Sequence, residues 1–439
     1  MRYFYNALVL VGLPFVAVYW LWRALTDKTY RSRWVQRFGF AYPRVADGVE
    51  TVWVHAVSVG EVQAAAPLIR ALRERMPEAR VLITTVTPTG ADRVRLLFAD
   101  SVEHAYVPYD VAGAVRRFYR AVAPRLAIIV ETELWPNLYH EAGLRRIPLI
   151  LASARISPRS MPRYRRLVGL FRDALSNGII IAAQSEVDRQ RFVELGAPAE
   201  RTFVSGNIKF DFDHDPDVQD RGARFRQDML GERPVWVAAS THAGEESILL
   251  DAHTALLETV PDALLIMVPR HPVRFDEAAV ALDERKLSYL RRTADLACPP
   301  EVSVLLGDTM GEVNMFYAAA DIAFVGGSLV PVGGHNLLEP AALGLPILAG
   351  PYLFNAQDIA NLFTGQGAAK TVQTADELCT SLQSLFRRGQ LRDSMGRRAE
   401  QLIVANRGAV DRLLTRLEPL IEQGGLPPSD REITASAAD

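Results

Sequence analysis

A glycine-rich segment late in the chain gives the clearest chemical signal. Residues 326–351 read GGSLVPVGGHNLLEPAALGLPILAGP and follow four apolar residues, 322–325. We expect a buried strand, a glycine loop that brings backbone N–H groups close to a ligand, and a helix that begins near His335 and attracts phosphate. Glu339 could accept hydrogen bonds from both hydroxyls of a ribose. The segment favours a nucleotide-sugar site, although a tight turn followed by a first-turn acid would give the same pattern.

A second candidate is Glu61, at the end of the segment HAVSVGE (residues 55–61). Gly60 permits a turn, and a helix that begins here would keep the Glu61 carboxylate ionised through its dipole and its backbone donors. An ionised carboxylate at a cleft can accept the proton of a sugar hydroxyl. Glu61 is therefore a candidate general base; the alternative is a helix-start acid without a catalytic role.

Two further acids, Glu131 and Glu133, follow the apolar residues 128–130. Because side chains alternate along a strand, we expect only one of them to face a substrate, and Glu131 is our choice. Lys209 lies in the segment SGNIKFD (205–211) near the expected domain junction. Its ammonium group could neutralise charge on a departing phosphate, or it could be an exposed linker lysine.

Arg270 lies between two prolines in the segment VPRHP (268–272), at the end of another apolar run. Its guanidinium group could bind a phosphate or a carboxylate through two contacts, and the prolines stiffen the loop. Each such signal is weak alone, but several at one sheet edge predict a ligand site. The other residues that we expect at this edge are Ser240, Thr241, Met310, Gly311 and Glu312.

The elements that must position these residues alternate between strands and helices. We predict apolar strands at 51–57, 81–86, 126–130, 148–152 and 179–183, and again at 235–239, 264–268, 302–306, 322–325 and 346–348. Continuous apolar strands separated by helices are typical of parallel sheets covered on both faces. A polar segment near 206–224 divides the two series. The sequence therefore predicts an α/β protein with two Rossmann-like domains that face each other across a cleft.

Length, charge and cysteine content narrow the function classes. A chain of 439 residues exceeds one typical core, which agrees with two domains. The formal net charge of -2 argues against a nucleic-acid partner. Cys298 and Cys379 are far apart and lack metal-ligand spacing, so neither a zinc site nor a disulfide framework is indicated.

The N-terminus carries no charge between Tyr3 and Trp22, and about 20 apolar residues suffice to span a bilayer core. We predict a membrane anchor at 1–25, spanning or only partly inserted. A buried core helix is the alternative, and a cleaved signal peptide is disfavoured because the charge lies on the wrong side. The basic residues that follow predict that the bulk of the chain stays on the cytoplasmic side and contacts anionic lipid: Arg23, Lys28, Arg31, Arg33 and Arg37.

Five segments in register resemble those of the bacterial lipid A 3-deoxy-D-manno-octulosonic acid (Kdo) transferases. In chain order they read HAVSVGE, ETELWPN, SGNIKFD, PRHP and GGSLVPVGGHNLLEPA, and the resemblance covers nearly the whole chain after residue 50. It implies a GT-B-like fold and a CMP-Kdo donor bound by the C-terminal half, with no cofactor. The implied acceptor is a lipid A precursor (lipid IVA), met by the N-terminal half at the inner membrane.

The same resemblance assigns roles to individual residues. It implies that Glu61 is the general base, that Glu131 and Lys209 stabilise the transition state, and that the reaction is inverting and independent of metal. Independently of the resemblance, we interpret the acidic segment 211–215 as solvated charge rather than a metal site, because it lies in the expected linker between the domains. The contacts to CMP that the resemblance implies are Pro269, Arg270, Met310, Gly311, Glu312, Asn336, Leu337, Leu338 and Glu339.

The predicted domains are an anchor at 1–25, an acceptor-binding domain at 26–212, a donor-binding domain at 213–424 and a disordered tail at 425–439. Two alternatives remain at this point. A sugar-nucleotide 2-epimerase would have a similar fold but a soluble substrate, and a membrane-tethered scaffold would keep the fold without catalysis.

Overall fold

The computed structural model describes residues 2–26, 33–43, 48–158, 160–166, 168–175, 178–212 and 215–423. The chain divides into two compact units. The first comprises Met1–Asp213 together with Asn406–Asp439, and the second comprises His214–Ala405. Each unit is built on its own parallel sheet of seven strands.

The sheet of the first unit has the strand order β3-β2-β1-β4-β5-β6-β7. Its strands are continuous apolar runs because helices cover both faces, and alternate residues of one strand enter different cores. Ile128 and Val130 pack in one core, while Ala127 and Ile129 pack in the other. The strands are β1 (Thr51–His55), β2 (Arg80–Thr85), β3 (Glu103–Tyr106), β4 (Pro124–Val130), β5 (Leu149–Ala154), β6 (Ile179–Ala183) and β7 (Thr202–Val204).

The helices of this unit connect successive strands and shield the sheet. α3 begins with the hydroxyl of Thr87 accepting from the Gly90 N–H at 3.1 Å, a typical N-cap. The helices up to the domain junction are α1 (Arg2–Thr26), α2 (Val59–Arg75), α3 (Pro88–Phe98), α4 (Ala112–Val122), α5 (Pro136–Leu144), α6 (Met161–Arg166), α7 (Val168–Leu175) and α8 (Glu186–Glu194).

The sheet of the second unit has the order β10-β11-β9-β8-β12-β13-β14. Its strands are β8 (Val235–Thr241), β9 (Leu264–Pro269), β10 (Tyr289–Arg291), β11 (Val304–Leu306), β12 (Ile322–Val325), β13 (Ile347–Ala349) and β14 (Ala369–Thr371). Its helices are α9 (Val218–Phe225), α10 (Glu245–Leu257), α11 (Phe275–Glu284), α12 (Val313–Ala319), α13 (Leu338–Ala342), α14 (Gln357–Gly365), α15 (Ala375–Arg387) and α16 (Gly389–Asn406).

Both sheets change the direction of their strand order beside their first strand. β1 lies between β2 and β4, and β8 lies between β9 and β12. At such a switch point the two neighbouring loops leave the carboxyl edge in opposite directions, and a crevice opens between them. The loops after β1 and β4, and those after β8 and β12, are therefore where each unit can hold a ligand.

The end of the chain returns to the first unit, which corrects the predicted domain at 213–424. Helix α17 (Ala409–Gln423) packs Leu413, Leu414 and Leu417 into the core of the first unit that also contains Ile128 and Val130. Helical spacing reveals an apolar face but not the domain against which that face packs. The predicted tail at 425–439 lies outside the described residues.

The acidic segment 211–215 is also more than solvated charge. The Asp211 carboxylate accepts from the backbone N–H groups of Gly408 and Val410, both at 2.6 Å, and so caps the start of α17. Asp215 forms an ion pair with Arg221. Sequence distance hid the first of these contacts, because the capped helix begins nearly 200 residues later than the acid.

Helix α1 occupies the predicted anchor, but the anchor itself is not supported. Within the described part of the chain, no helix is long and apolar enough to cross a membrane. The first turns of α1 contact the rest of the first unit. The Tyr5 hydroxyl donates to Asp110 at 2.8 Å, and the Asn137 amide donates to Asn6 at 2.7 Å. The helix is not a buried core helix either, because apolar side chains such as Phe15 are about three-quarters exposed (75%).

Candidate functional site

Three carboxylates and one ammonium group gather at the switch point of the first sheet. Glu61 is the third residue of α2, which follows β1, and Glu131 directly follows β4. Lys209 comes from the turn after β7, and its Nζ atom lies 2.5 Å from Oε1 of Glu131. Glu61 is close enough to Glu131 and Glu133 for their charges to act on it. The structure thus brings together the three residues predicted to be catalytic.

Glu61 is anchored by donors from the loop that precedes its helix. The Val57 N–H donates to Oε2 at 2.8 Å, and the Ser58 hydroxyl donates to Oε1 at 3.3 Å. Burial, together with the charges of Glu131 and Glu133, nevertheless raises the pKa of Glu61 to about 7 against those hydrogen bonds. The donors thus do not keep Glu61 fully ionised, as the sequence led us to expect, because desolvation outweighs them.

Strand alternation, the reason for expecting only one of Glu131 and Glu133 to face the site, does not apply here. Glu131 has a left-handed backbone with φ of 61°, so strand alternation ends at Val130 and does not apply beyond it. Glu133 is mostly buried, and burial raises its pKa. Trp135 Nε1 donates to Glu133 Oε2 at 2.6 Å. Glu133 is therefore a further site residue, and the sequence already showed it as the second acid of the ETE triplet.

Lys209 is held in place rather than left in a flexible linker. Its neighbours Ile208 and Phe210 are buried, and the Asn207 side chain accepts from the Lys209 N–H at 3.0 Å. The side chains of Lys209 and Glu131 are 25% and 26% exposed, so water screens their ion pair only in part. Their contact is an ion pair without the alignment of a hydrogen bond. Lys209 thus offers a positioned positive charge.

Loops after four neighbouring strands form the corresponding edge of the second unit. Arg270 follows β9, and its N–H donates to the Thr241 carbonyl at the end of β8 at 3.0 Å. The Arg270 side chain is exposed, and none of the described residues pairs with its guanidinium group. Pro269, the last residue of β9, is buried. Arg270 is thus available for an anion.

The glycine loop after β12 differs from its predicted form. Its N–H groups at Gly327, Ser328 and Leu329 donate to the buried carboxylate of Glu245, at 2.7, 2.8 and 2.8 Å. These three groups therefore cannot cradle a phosphate. Glu245 begins α10, and the sequence gave no sign that it would reach a loop 82 residues away.

The helix expected from His335 begins only at Leu338 and has five residues, so its dipole offers little to a phosphate. Asn336 accepts from the Leu338 N–H at 3.1 Å and donates to Glu339 at 3.1 Å. Leu337 and Leu338 are buried, which leaves only their backbone groups for a ligand. Glu339 is half-buried at the same edge, and its contact with a ribose stays a prediction.

The segment 310–312 follows β11 at the same edge. Met310 is exposed, and Gly311 has a left-handed φ of 85°. The Glu312 carboxylate accepts from Arg292 at 3.1 Å and from the Thr309 hydroxyl. Its oxygens are thus already engaged. In the described parts of both units, no group of three or more His, Cys, Asp or Glu side chains could hold a metal ion.

Comparison with known proteins decides the family. Residues 32–212 match the family model described as 3-deoxy-D-manno-octulosonic-acid transferase (kdotransferase). A 3-deoxy-D-manno-octulosonic acid transferase of Haemophilus influenzae is 39% identical over 96% of this chain and 99% of its own. The chain belongs to the Kdo transferase family. A Kdo transferase of Bordetella pertussis is 38% identical over 94% of this chain and 97% of its own.

The predicted family and enzyme class are thereby confirmed, and this Kdo transferase is a glycosyltransferase. The fold is also similar to that of a putative UDP-N-acetylglucosamine 2-epimerase from Listeria monocytogenes. The two align with a TM-score of 0.54 over 86% of this chain and 98% of the other, at 14% identity. That likeness supports the GT-B-like fold alone, so it does not favour the epimerase alternative. The enzyme class decides against a non-catalytic scaffold.

Proposed function

We propose that this Kdo transferase moves Kdo from CMP-Kdo to a lipid A precursor, lipid IVA, in lipopolysaccharide core biosynthesis. The observation that carries the proposal is the state of Glu61. A carboxyl group with a pKa of about 7 is a stronger base than an ordinary glutamate and is still substantially ionised at neutral pH. It is therefore suited to take a proton from an acceptor hydroxyl.

The proposed reaction is a single inverting displacement. Glu61 accepts the proton of the acceptor hydroxyl while the hydroxyl oxygen forms a bond to the anomeric carbon of Kdo. The bond between that carbon and the phosphate oxygen breaks, and its electron pair leaves with CMP. The proposal includes neither a metal nor a cofactor, and CMP-Kdo enters as the donor substrate whose CMP is the leaving group.

Glu131 and Lys209 support this step in the proposal. Lys209 supplies a positive charge that favours a transition state in which negative charge develops. Glu131 holds the Lys209 ammonium group through the ion pair of 2.5 Å.

The donor site that we propose in the second unit follows from the loops at its carboxyl edge. Arg270 would bind the phosphate of CMP, since its guanidinium group is exposed and has no described partner. Glu339 and Asn336 would contact the ribose. The remaining predicted contacts, made chiefly by backbone groups, are Pro269, Met310, Gly311, Glu312, Leu337 and Leu338.

We also propose that the protein works at the cytoplasmic face of the inner membrane. Exposed apolar residues of α1 give it a surface that water solvates poorly, and Arg23 lies in its last turn. Such a helix can rest in the headgroup region without spanning the bilayer, where it would meet a lipid acceptor.

The test is to mix the purified protein with CMP-Kdo and lipid IVA and to analyse the products by mass spectrometry. We expect lipid IVA to gain the mass of Kdo while CMP is released. A protein that converts a sugar nucleotide without any lipid acceptor would contradict the proposal. The Glu61→Gln variant serves as the control for the assigned base.

A further inference from the structure

Two histidines meet at the switch point of the second sheet. His242 directly follows β8, and His335 lies in the loop after β12. Their Nε2 atoms are 2.8 Å apart, while the ring centroids are 5.0 Å apart and the ring planes differ by 10°. Two nearly coplanar rings whose Nε2 atoms are in hydrogen-bond distance while their centroids are 5.0 Å apart lie edge to edge, so the contact is a hydrogen bond rather than face-to-face stacking. One Nε2 atom therefore carries a proton and the other accepts it.

The loop around the pair is shaped to hold both rings. Gly327 has a left-handed φ of 67°, and a Cβ atom there would lie 3.0 Å from Cδ2 of His335 and 3.4 Å from Cδ2 of His242. A side chain at this position would displace the rings. Glu245 fixes the loop backbone and also accepts from the His242 N–H at 3.0 Å.

Positive groups surround the pair. The His271 ring lies edge-on to His242 with centroids 5.7 Å apart, and Arg270 precedes it in the same loop. Burial, together with the neighbouring His242, Arg270 and His271, lowers the pKa of His335 to about 4. Burial also lowers the pKa of His242, to which the charges of His271, Arg270 and Arg274 contribute.

Two acids lie in this region, and only Glu245 acts in the opposite direction. Glu245 raises the pKa of His242, yet its carboxylate is buried and accepts from the backbone of the glycine loop. Glu246 pairs with Arg274 at 2.8 Å. In this arrangement both imidazoles are neutral at pH 7.

A hydrogen bond between two imidazoles limits their charge. If both Nε2 atoms were protonated, two N–H groups would face each other and the bond could not persist. An anionic group between the rings would instead favour protonation of both Nε2 atoms. It would accept from both Nε2–H groups, and its negative charge would favour a further proton on the rings.

We propose that the His242–His335 pair is an anion-binding switch in the donor site, which opens when an anionic group of CMP-Kdo enters between the two Nε2 atoms. In the closed pair the accepting ring carries its own proton on Nδ1; as the anion enters, the Nε2 atom of that ring takes up a proton from solvent, so this imidazole becomes a cation and both Nε2–H groups donate to the anion. The inference rests on the proposed function, since CMP-Kdo provides the anion. Either its phosphate or its sugar carboxylate could do so, because both present anionic oxygens.

The test is calorimetric binding of CMP, CMP-Kdo and cytidine at pH 7.5, in two buffers that differ in ionisation enthalpy. Free CMP is mainly dianionic there, since its phosphate has a pKa of about 6. We expect about one proton to be taken up with CMP-Kdo and none with cytidine. The affinity for CMP-Kdo should then fall as the pH rises, by about tenfold per pH unit for each proton taken up. Uptake with CMP identifies the phosphate, and uptake with CMP-Kdo alone identifies the carboxylate.

The variants His242→Gln and His335→Gln keep an N–H donor but cannot take up the proton. We expect each variant to reduce proton uptake, since only one imidazole remains, and to weaken CMP-Kdo binding about tenfold, with cytidine binding unchanged. His140→Gln, in α5 of the first unit, is the matched control and should behave as the parent.

Binding of CMP-Kdo by the parent protein without proton uptake would overturn the switch, and so would proton uptake that is undiminished in both variants. Should a variant fail to fold, the proton count of the parent protein still decides. If the parent bound neither CMP nor CMP-Kdo, the proposed function itself would fail, which is a different result.

Discussion

Glu61 is an acid on whose charge burial and hydrogen bonding act in opposite directions. The Val57 N–H and the Ser58 hydroxyl favour the carboxylate, while loss of water and two neighbouring acids favour the protonated form. Because the second influence prevails, the group titrates near neutral pH. A general base is most effective when its pKa lies close to the working pH.

Glu61→Gln should lower the rate of Kdo transfer by about a hundredfold or more, since glutamine keeps the size but cannot accept the proton. Binding of CMP should be unchanged, because the donor contacts that we propose are all in the second unit. Glu74→Gln, on the exposed face of the same helix, is the matched control. Steady-state rates and CMP titration measure both effects, and near-parental turnover would reduce Glu61 to a helix-start acid.

The same substitution should stabilise the fold at alkaline pH. An acid whose pKa is raised from 4.5 to about 7 binds its proton more tightly when folded, so folding becomes costlier as pH rises above 4.5 and the cost levels off above 7. We expect Glu61→Gln to gain up to about 3 kcal/mol at pH 8. At pH 4 it should gain little. Thermal unfolding at both pH values measures this, and an equal effect at both would contradict the raised pKa.

At the scale of elements, Glu245 connects α10 to the loop after β12. Its carboxylate satisfies three backbone N–H groups that are otherwise buried without a partner. The loop carries His335 and leads to Asn336 and Glu339. The order of the donor site therefore depends on one acid that, in our proposal, touches no ligand itself.

Glu245→Ala should destabilise the protein by about 3 kcal/mol or more, because each buried N–H group left unpaired costs about 1–3 kcal/mol. CMP binding should weaken as well, since the loop loses its shape. Glu258→Ala, an exposed acid just beyond the same helix, is the control. Chemical denaturation and CMP titration would measure the two effects. Unchanged binding in the variant would show that the loop holds its shape without Glu245.

Most strands were predictable because a short apolar run between two helical segments is typical of a buried strand in a parallel sheet. Glu61, Glu131 and Lys209 were predictable as a group through the resemblance of their segments to one family. What the sequence could not reveal depended on distant contacts or on backbone geometry. Glu245 reaches across to the glycine loop, Asp211 caps α17, and the left-handed turn at Glu131 brings in Glu133.

At the scale of the whole molecule, the exposed apolar side chains of α1 require a partner, and we propose a lipid surface. Deleting residues 1–22 should leave an enzyme that is active on detergent-dispersed lipid IVA and binds anionic vesicles only at low salt. Each exposed basic residue near the lipid surface contributes about 1 kcal/mol to that binding, which salt weakens. Arg37, expected from the sequence to contact lipid, does not contribute, because it is buried and donates to the Val86 carbonyl. The full-length protein should stay bound through a high-salt wash, because salt does not screen apolar burial.

Sedimentation of both forms with vesicles, at low and at high salt, makes this comparison. Neutral vesicles provide the control, since they should retain the full-length protein but not the shortened one. Release of the full-length protein by salt alone would show that α1 does not enter the lipid.

The return of α17 to the first unit has a consequence for how the protein is made. A ribosome releases the residues of the first sheet early, yet Leu413, Leu414 and Leu417 belong to the core on one face of that sheet. That face remains incompletely covered while about 200 further residues are synthesised, during which the second unit has time to fold. The domain that is translated first is thus the domain that is finished last, and a nascent chain halted before residue 409 would expose an unfinished core to chaperones and proteases.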